Sequence, residues 1–222
     1  MNSIEVMPLK ERREALDKFY NDWVLSGYDE DILSSEFGLV AHINLAKEIG
    51  VRIADKSVRL LDCASGTGFL GQELKGVGFT NLDALDSSQG SLDFSRTKNL
   101  YRNFVCATLG VDRLPIEDDS YDVVCLVAAF GRGHVQPDCI PEWIRITKPG
   151  GLIMFLSKEE TLVSVEGFCN GAVDAILHKL SSEGRVEYLE KKRVLYQHKV
   201  NNSSDQIPVT NIYAYMFVVR VL

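Results

Sequence analysis

Residues 60–71 read LLDCASGTGFLG. Two leucines and an acid give way to a run of small residues, and Phe69-Leu70 then opens a helical pattern. This is a buried strand turning sharply into a helix. The glycines fall as Gly66-x-Gly68-x-x-Gly71, and the strand closes on Asp62. Such a turn aims backbone N–H groups and a helix N-terminus at whatever sits above it. The same glycines suit any tight strand-to-helix turn. Asp86 adds weight to the binding reading. It ends the next apolar stretch, twenty residues beyond Gly66, where a carboxylate accepts hydrogen bonds from both hydroxyls of a ribose.

Short apolar runs alternate with helical patterns on either side. Strands are expected at Val58–Asp62, Asn81–Asp86, Asn103–Ala107, Tyr121–Phe130 and Leu152–Ser157. Helices are expected at Phe69–Lys75, Gln89–Lys98 and Pro141–Thr147, with KPGG (Lys148–Gly151) as a tight turn into the next strand. This rhythm implies βαβ units and a parallel sheet. Tyr121–Phe130 is the longest apolar run and reads as a central strand covered on both faces. The tail departs from the rhythm. A helix over Gly167–Leu180 precedes two long strands, Arg185–Val200 and Asn211–Leu222, joined by the polar NNSSDQIP; they are expected to pair antiparallel. The first 50 residues read as mainly helical.

The chain has 222 residues, 45% of them hydrophobic, and a net charge of −7. No Lys/Arg stripe forms; Lys191-Lys192-Arg193 is flanked by Glu187 and Glu190. That disfavours a nucleic-acid partner, which needs concentrated positive charge. The five cysteines include no C-x-x-C pair. Cys63, Cys106 and Cys125 read as small buried hydrophobes of a reducing compartment, and no metal site is expected. The N-terminus is charged, and no run reaches the ~18 apolar residues of a spanning helix. A cytoplasmic protein with no membrane partner is expected.

Asp62 separates two nucleotide-like ligands. A dinucleotide places its pyrophosphate at the helix N-terminus, where an acid ending the first strand adds repulsion. S-adenosylmethionine has no phosphate and carries a sulfonium and an ammonium, which a nearby carboxylate favours. The alternative is that Asp62 only bonds the backbone of its own turn.

These residues resemble class I S-adenosylmethionine-dependent methyltransferases over about residues 20–160. LLDCASGTG looks like that family's first motif and LDALDSSQGSLDFSR like its second, while LPIEDDSYDVV and ITKPGGLIMF look like later landmarks. YNDWVLSGYDEDI, SLDFSRTKNLYRNF, GRGHV and IPEWIRITKPGG are similar to the methyltransferase-like protein 27 group. The resemblance implies an α/β fold: a seven-stranded Rossmann-like sheet of order 3-2-1-4-5-7-6, strand 7 antiparallel, helices on both faces. It implies one domain over 1–222, with a helical lid (1–50), a cofactor-binding core (51–160) and a helix plus β-hairpin (161–222). S-adenosyl-L-methionine is the implied cofactor. Trp23, Tyr28, Asp62, Ala64, Gly66, Gly68, Asp86, Ser87, Thr108, Leu109 and Val127 are its implied contacts, and Tyr20 joins Trp23 and Tyr28 as lid aromatics. Two positions depart from the pattern. Ala64 replaces a loop glycine and is expected at negative φ, because alanine does not take positive φ freely. Thr108 stands where many members carry an acid.

Ligands on open α/β sheets sit outside the carboxyl ends of the strands. GRGHV (Gly131–Val135) follows the fourth strand and is expected to face a small-molecule methyl acceptor. His134 is its candidate general base; the alternative is a histidine that orders its own loop. The group supplies no substrate identity, and a cofactor-binding module without catalysis is the competing function.

Overall fold

The computed structural model describes residues 9–34, 38–200 and 209–222. Seven strands form one sheet of order β3-β2-β1-β4-β5-β7-β6. They are β1 (Leu60–Cys63), β2 (Leu82–Asp86), β3 (Asn103–Cys106), β4 (Tyr121–Leu126), β5 (Thr147–Lys158), β6 (Val186–Val200) and β7 (Val209–Val221). The pairs among β1 to β5 are parallel; β7 runs antiparallel to both β5 and β6. The expected order and the closing hairpin are therefore both present. NNSSDQIP (201–208) lies outside the described residues.

Strand alternation feeds two cores. Leu61, Val124, Ile153 and Phe217 face one, with Trp143 at its centre. Leu60, Val123, Met154 and Met216 face the other. This explains why the inner strands are apolar without interruption. Helices α1 (Leu9–Ser26), α2 (Tyr28–Leu33) and α3 (Ala41–Arg52) precede the sheet. α4 (Phe69–Gly76) and α5 (Gln89–Thr97) follow β1 and β2, α6 (Ile140–Ile146) precedes β5, and α7 (Glu159–Ser164) and α8 (Ala172–Ser182) follow it.

Several boundaries differ from expectation. β1 begins at Leu60 and runs through Cys63. β4 stops at Leu126, four residues early, because Ala128 turns the chain with φ of 59°. KPGG lies inside β5 as a wide bulge: Tyr121 pairs Thr147 and Val123 pairs Leu152, so Lys148–Gly151 stand opposite Asp122 alone. α7 was not foreseen, and α8 starts only at Ala172, because Gly167, Asn170 and Gly171 all take positive φ. β7 begins at Val209, two residues before Asn211. Cys63 and Cys125 are buried, but Cys106 is exposed, since β3 is an edge strand.

Candidate cofactor and acceptor site

Beyond β1 the backbone takes the left-handed conformation three times, at Ala64 (φ 53°), Gly66 (φ 51°) and Gly68 (φ 98°). The expectation of negative φ at residue 64 is overturned. A lone non-glycine residue in this region costs on the order of 1 kcal/mol. The methyl group is small enough to lie between the core and the cavity. A side chain at Gly66 would meet no atom within 4 Å, because that position opens on the cavity. Gly68 and Gly71 serve packing instead. A Cβ at Gly68 would lie 2.8 Å from Leu100, and one at Gly71 would lie 2.3 Å from the Tyr101 hydroxyl.

That crowding explains Asp62. Gly71 leaves room for Tyr101 to donate its hydroxyl to Asp62 Oδ2 at 2.6 Å. Asp62 is 2% exposed and also accepts from the Gly71 amide. Burial pushes its carboxyl up to about 7, and the Asp86 charge adds to the rise, against the two hydrogen bonds. Asp62 sits beneath the loop and does not line the cavity. Of the two strand-end carboxylates, Asp86 and not Asp62 borders the cavity directly.

Asp86 does line the cavity. Its Oδ2 accepts from the Gly66 amide and its Oδ1 from the Ser88 amide, both at 2.8 Å. It thereby ties the loop after β1 to the start of α5, where Ser88 caps the helix by accepting from the Ser91 amide. Burial raises its proton affinity, the amide bonds oppose this, and the Asp17 carboxylate reinforces it. Gly66, Ala64, Ser87, Thr108 and Leu109 surround Asp86 along the carboxyl edge of β1, β2 and β3. Ala128, Ala129, Gly133, His134 and Val135 continue the wall beyond β4. From α1 and α2 come Leu16, Asp17, Tyr20 and Tyr28. Among the described residues the lining holds two carboxylates, Asp17 and Asp86, and no Lys or Arg.

His134 joins the two sides. Its Nδ1 lies 3.0 Å from the Arg132 carbonyl, and its Nε2 lies 3.0 Å from the Tyr20 hydroxyl. A carbonyl only accepts, so Nδ1 carries the proton and Nε2 accepts from Tyr20. Both readings of this histidine thus have a basis: it orders its own loop and it lines the cavity. Burial, with the Asp86 charge, raises the Tyr20 hydroxyl to about 12, so it stays a neutral donor. The Tyr28 hydroxyl is raised in the same way.

Two expected contacts stand one layer out. Trp23 packs edge-on against Tyr28, with centroids 4.6 Å apart, and donates to Asp31 at 2.7 Å. Val127 packs against the second core. Asp17 lines the cavity without having been singled out, beside Tyr20, which was expected as a lid aromatic; Leu16, Asp17 and Tyr20 share a helical face at the spacing i, i+1, i+4.

The S-adenosylmethionine reading passes a test on these residues. Its ribose needs acceptors, which Asp86 and Asp17 offer, and among the described lining residues its cationic end meets no positive side chain. A pyrophosphate would meet two carboxylates, with no cation among the described lining residues to offset them.

Residues 61–155 match the methyltransferase domain family. Human methyltransferase-like protein 27 is 35% identical over 133 residues, 60% of this chain and 53% of that protein. Demethylmenaquinone methyltransferase of Staphylococcus aureus (strain MRSA252) is 30% identical over 164 residues, 70% of this chain and 65% of that one. The chain thus spans about half to two thirds of the length of these curated relatives. Among solved structures, a Thermotoga maritima S-adenosylmethionine-dependent methyltransferase, a possible histamine N-methyltransferase, superposes with TM-score 0.58 at 18% identity. That match covers 89% of this chain and 95% of the other, and carries the fold alone. In its matched domain, its curated relatives and its strand order, the chain is similar to S-adenosylmethionine-dependent methyltransferases.

Proposed function

We propose that this protein transfers the methyl group of S-adenosylmethionine to a small-molecule acceptor. The observation that carries this reading is the charge of the cavity: among the described residues it is lined by two carboxylates and by no Lys or Arg, at the carboxyl edge of a sheet of this order. Asp86 holds the ribose, the Ala64–Gly66 turn approaches the amino-acid end, and Thr108 and Leu109 border the adenine. α1 and α2 act as a lid on one domain, with Tyr20 and Tyr28 above the ligand. When bound, the cofactor supplies an electrophilic methyl carbon on a sulfonium, a leaving group already activated by its charge. The protein's part is then to hold an acceptor in line, at roughly 3–3.5 Å, and to keep water out. His134 Nε2 is the basic atom that faces the acceptor side, and its tautomer is fixed by the Arg132 carbonyl.

The enclosure by α1, α2 and the loop after β4 supports a small acceptor rather than a macromolecule. Five free thiols suit a reducing compartment, and we assign the protein to the cytoplasm. Among the described residues no helix is long and apolar enough to cross a membrane.

A second reading, a cofactor-binding module without transfer, draws on one observation. Both ring nitrogens of His134 are engaged by the protein itself. Calorimetric titration with S-adenosylhomocysteine and with NADH tests the cofactor: micromolar binding of the first alone is expected, and binding of NADH alone would overturn the proposal. Methyl release against a panel of small phenols, amines, thiols and carboxylic acids separates the enzyme from the module.

A further inference from the structure

α1 carries into the cavity a carboxylate that the motifs do not account for. Asp17, Tyr20 and Asn21 sit at i, i+3 and i+4 and share one face of the helix. Asn21 Oδ1 accepts from the Gly90 amide at 2.9 Å and the Ser88 hydroxyl at 2.7 Å. Asp17 Oδ1 accepts from the Ser87 hydroxyl at 2.7 Å. Among the described residues this is the one hydrogen bond of the Asp17 side chain. Its second oxygen is therefore open, at a wall that Asp17 shares with Asp86 and Ser87.

Asp86 is in the opposite condition, because each of its oxygens already accepts a backbone N–H. The two acids lie close enough to repel, and among the described residues no lining cation offsets them. Two neighbouring carboxylates with spare lone pairs match a ligand that presents two adjacent O–H donors. A ribose diol does so, and it brings no negative charge of its own.

We propose that Asp17 is a further cofactor-contacting residue, its open oxygen accepting one hydroxyl hydrogen of the nucleoside ribose while Asp86 accepts the other. This rests on reading the cavity as the S-adenosylmethionine site. The carboxylate arrives with α1, so ligand binding and docking of the helix become one event.

The test is calorimetry with S-adenosylhomocysteine and its 2′-deoxy and 3′-deoxy analogues on the wild type, Asp17→Asn and Ser87→Ala. Asparagine keeps an oxygen for Ser87 but turns the open end into a donor. Asp17→Asn is expected to weaken S-adenosylhomocysteine about tenfold, the effect of one hydrogen bond to a charged group. One deoxy analogue, weakened in the wild type, is expected to lose nothing further in Asp17→Asn. Ser87→Ala removes the anchor but keeps the carboxylate, so whatever it costs in affinity it is expected to preserve the discrimination between the analogues. Hydrogen exchange over residues 9–26 checks that α1 stays docked in both variants. Wild-type affinity in Asp17→Asn, or unchanged discrimination between the analogues, would reduce Asp17 to an anchor of α1. A wild type that binds no S-adenosylhomocysteine would instead defeat the reading of the cavity.

Discussion

Asp62 and Asp86 show how one residue type at two strand ends acquires two roles. Asp62 is sealed under α4 with Tyr101, and its carboxyl is raised from 3.8 to about 7. A raised acid binds a proton in the folded state that the unfolded chain has already released. Its contribution therefore favours the fold at low pH and is lost as pH rises from about 4 to about 7. Asp62→Asn, neutral at every pH, is expected to remove that slope. Denaturation midpoints from pH 4.5 to 8 check this; parallel profiles for the two proteins would mean that Asp62 does not titrate in this window. Asp86 is the residue whose loss should reach the ligand. Asp86→Ala is expected to weaken S-adenosylhomocysteine by about 1.5–3 kcal/mol, the range for a hydrogen bond to a charged group. Unchanged calorimetric affinity with an intact fold would remove Asp86 from the site.

At the scale of elements, α1 is the part whose position a ligand should affect. Polar contacts fasten it to the rest: Asp17 to Ser87, Asn21 to Ser88 and Gly90, and Tyr20 to His134. Trp143 is only 1% exposed, so quenching of tryptophan fluorescence reports Trp23. S-adenosylhomocysteine is expected to reduce acrylamide quenching, and a chain starting after Leu33 is expected to lose affinity. Full affinity in that truncation would show that the lid is dispensable. The sheet order was legible because apolar runs, turn glycines and the long final strands each have a local cause. The end of β4 was not, since Ala128 takes positive φ and an alanine does not signal that conformation. The cavity floor was legible at Gly66 and Asp86 for the same local reasons. The burial of Asp62 was not legible, because its partner, Tyr101, lies 39 residues away. Asp17 was hidden because a helix face shows its period but not what it packs against.

At the scale of the whole molecule, the described Lys and Arg residues lie away from the cavity. The run Lys191–Arg193 is not an open basic patch: Lys191 pairs Asp174 at 2.7 Å, Lys192 pairs Glu48 at 3.1 Å and Arg193 pairs Glu159. Lys98, near the lid, is paired with Asp29. The cavity then divides by strand. Loops after β1, β2 and β3 supply Gly66, Asp86 and Thr108 on one side, and the loop after β4 supplies His134 on the other. If the first side holds the cofactor, His134 belongs to the acceptor. His134→Ala removes one of the fastenings of α1 but leaves those of Asp17 and Asn21 in place. The cofactor itself loses no more than a peripheral contact, worth less than ~0.5 kcal/mol. S-adenosylhomocysteine affinity is therefore expected to stay within about twofold of the wild type. Methyl transfer is expected to fall by about 10²–10⁴-fold for an acceptor that must lose a proton, the usual contribution of a positioned base. An acceptor that carries no such proton should be nearly unaffected. Calorimetry and turnover with members of both acceptor classes decide the matter: equal losses for both classes, or a loss of cofactor affinity matching the loss of turnover, would leave His134 as the residue that orders its own loop and fastens the lid.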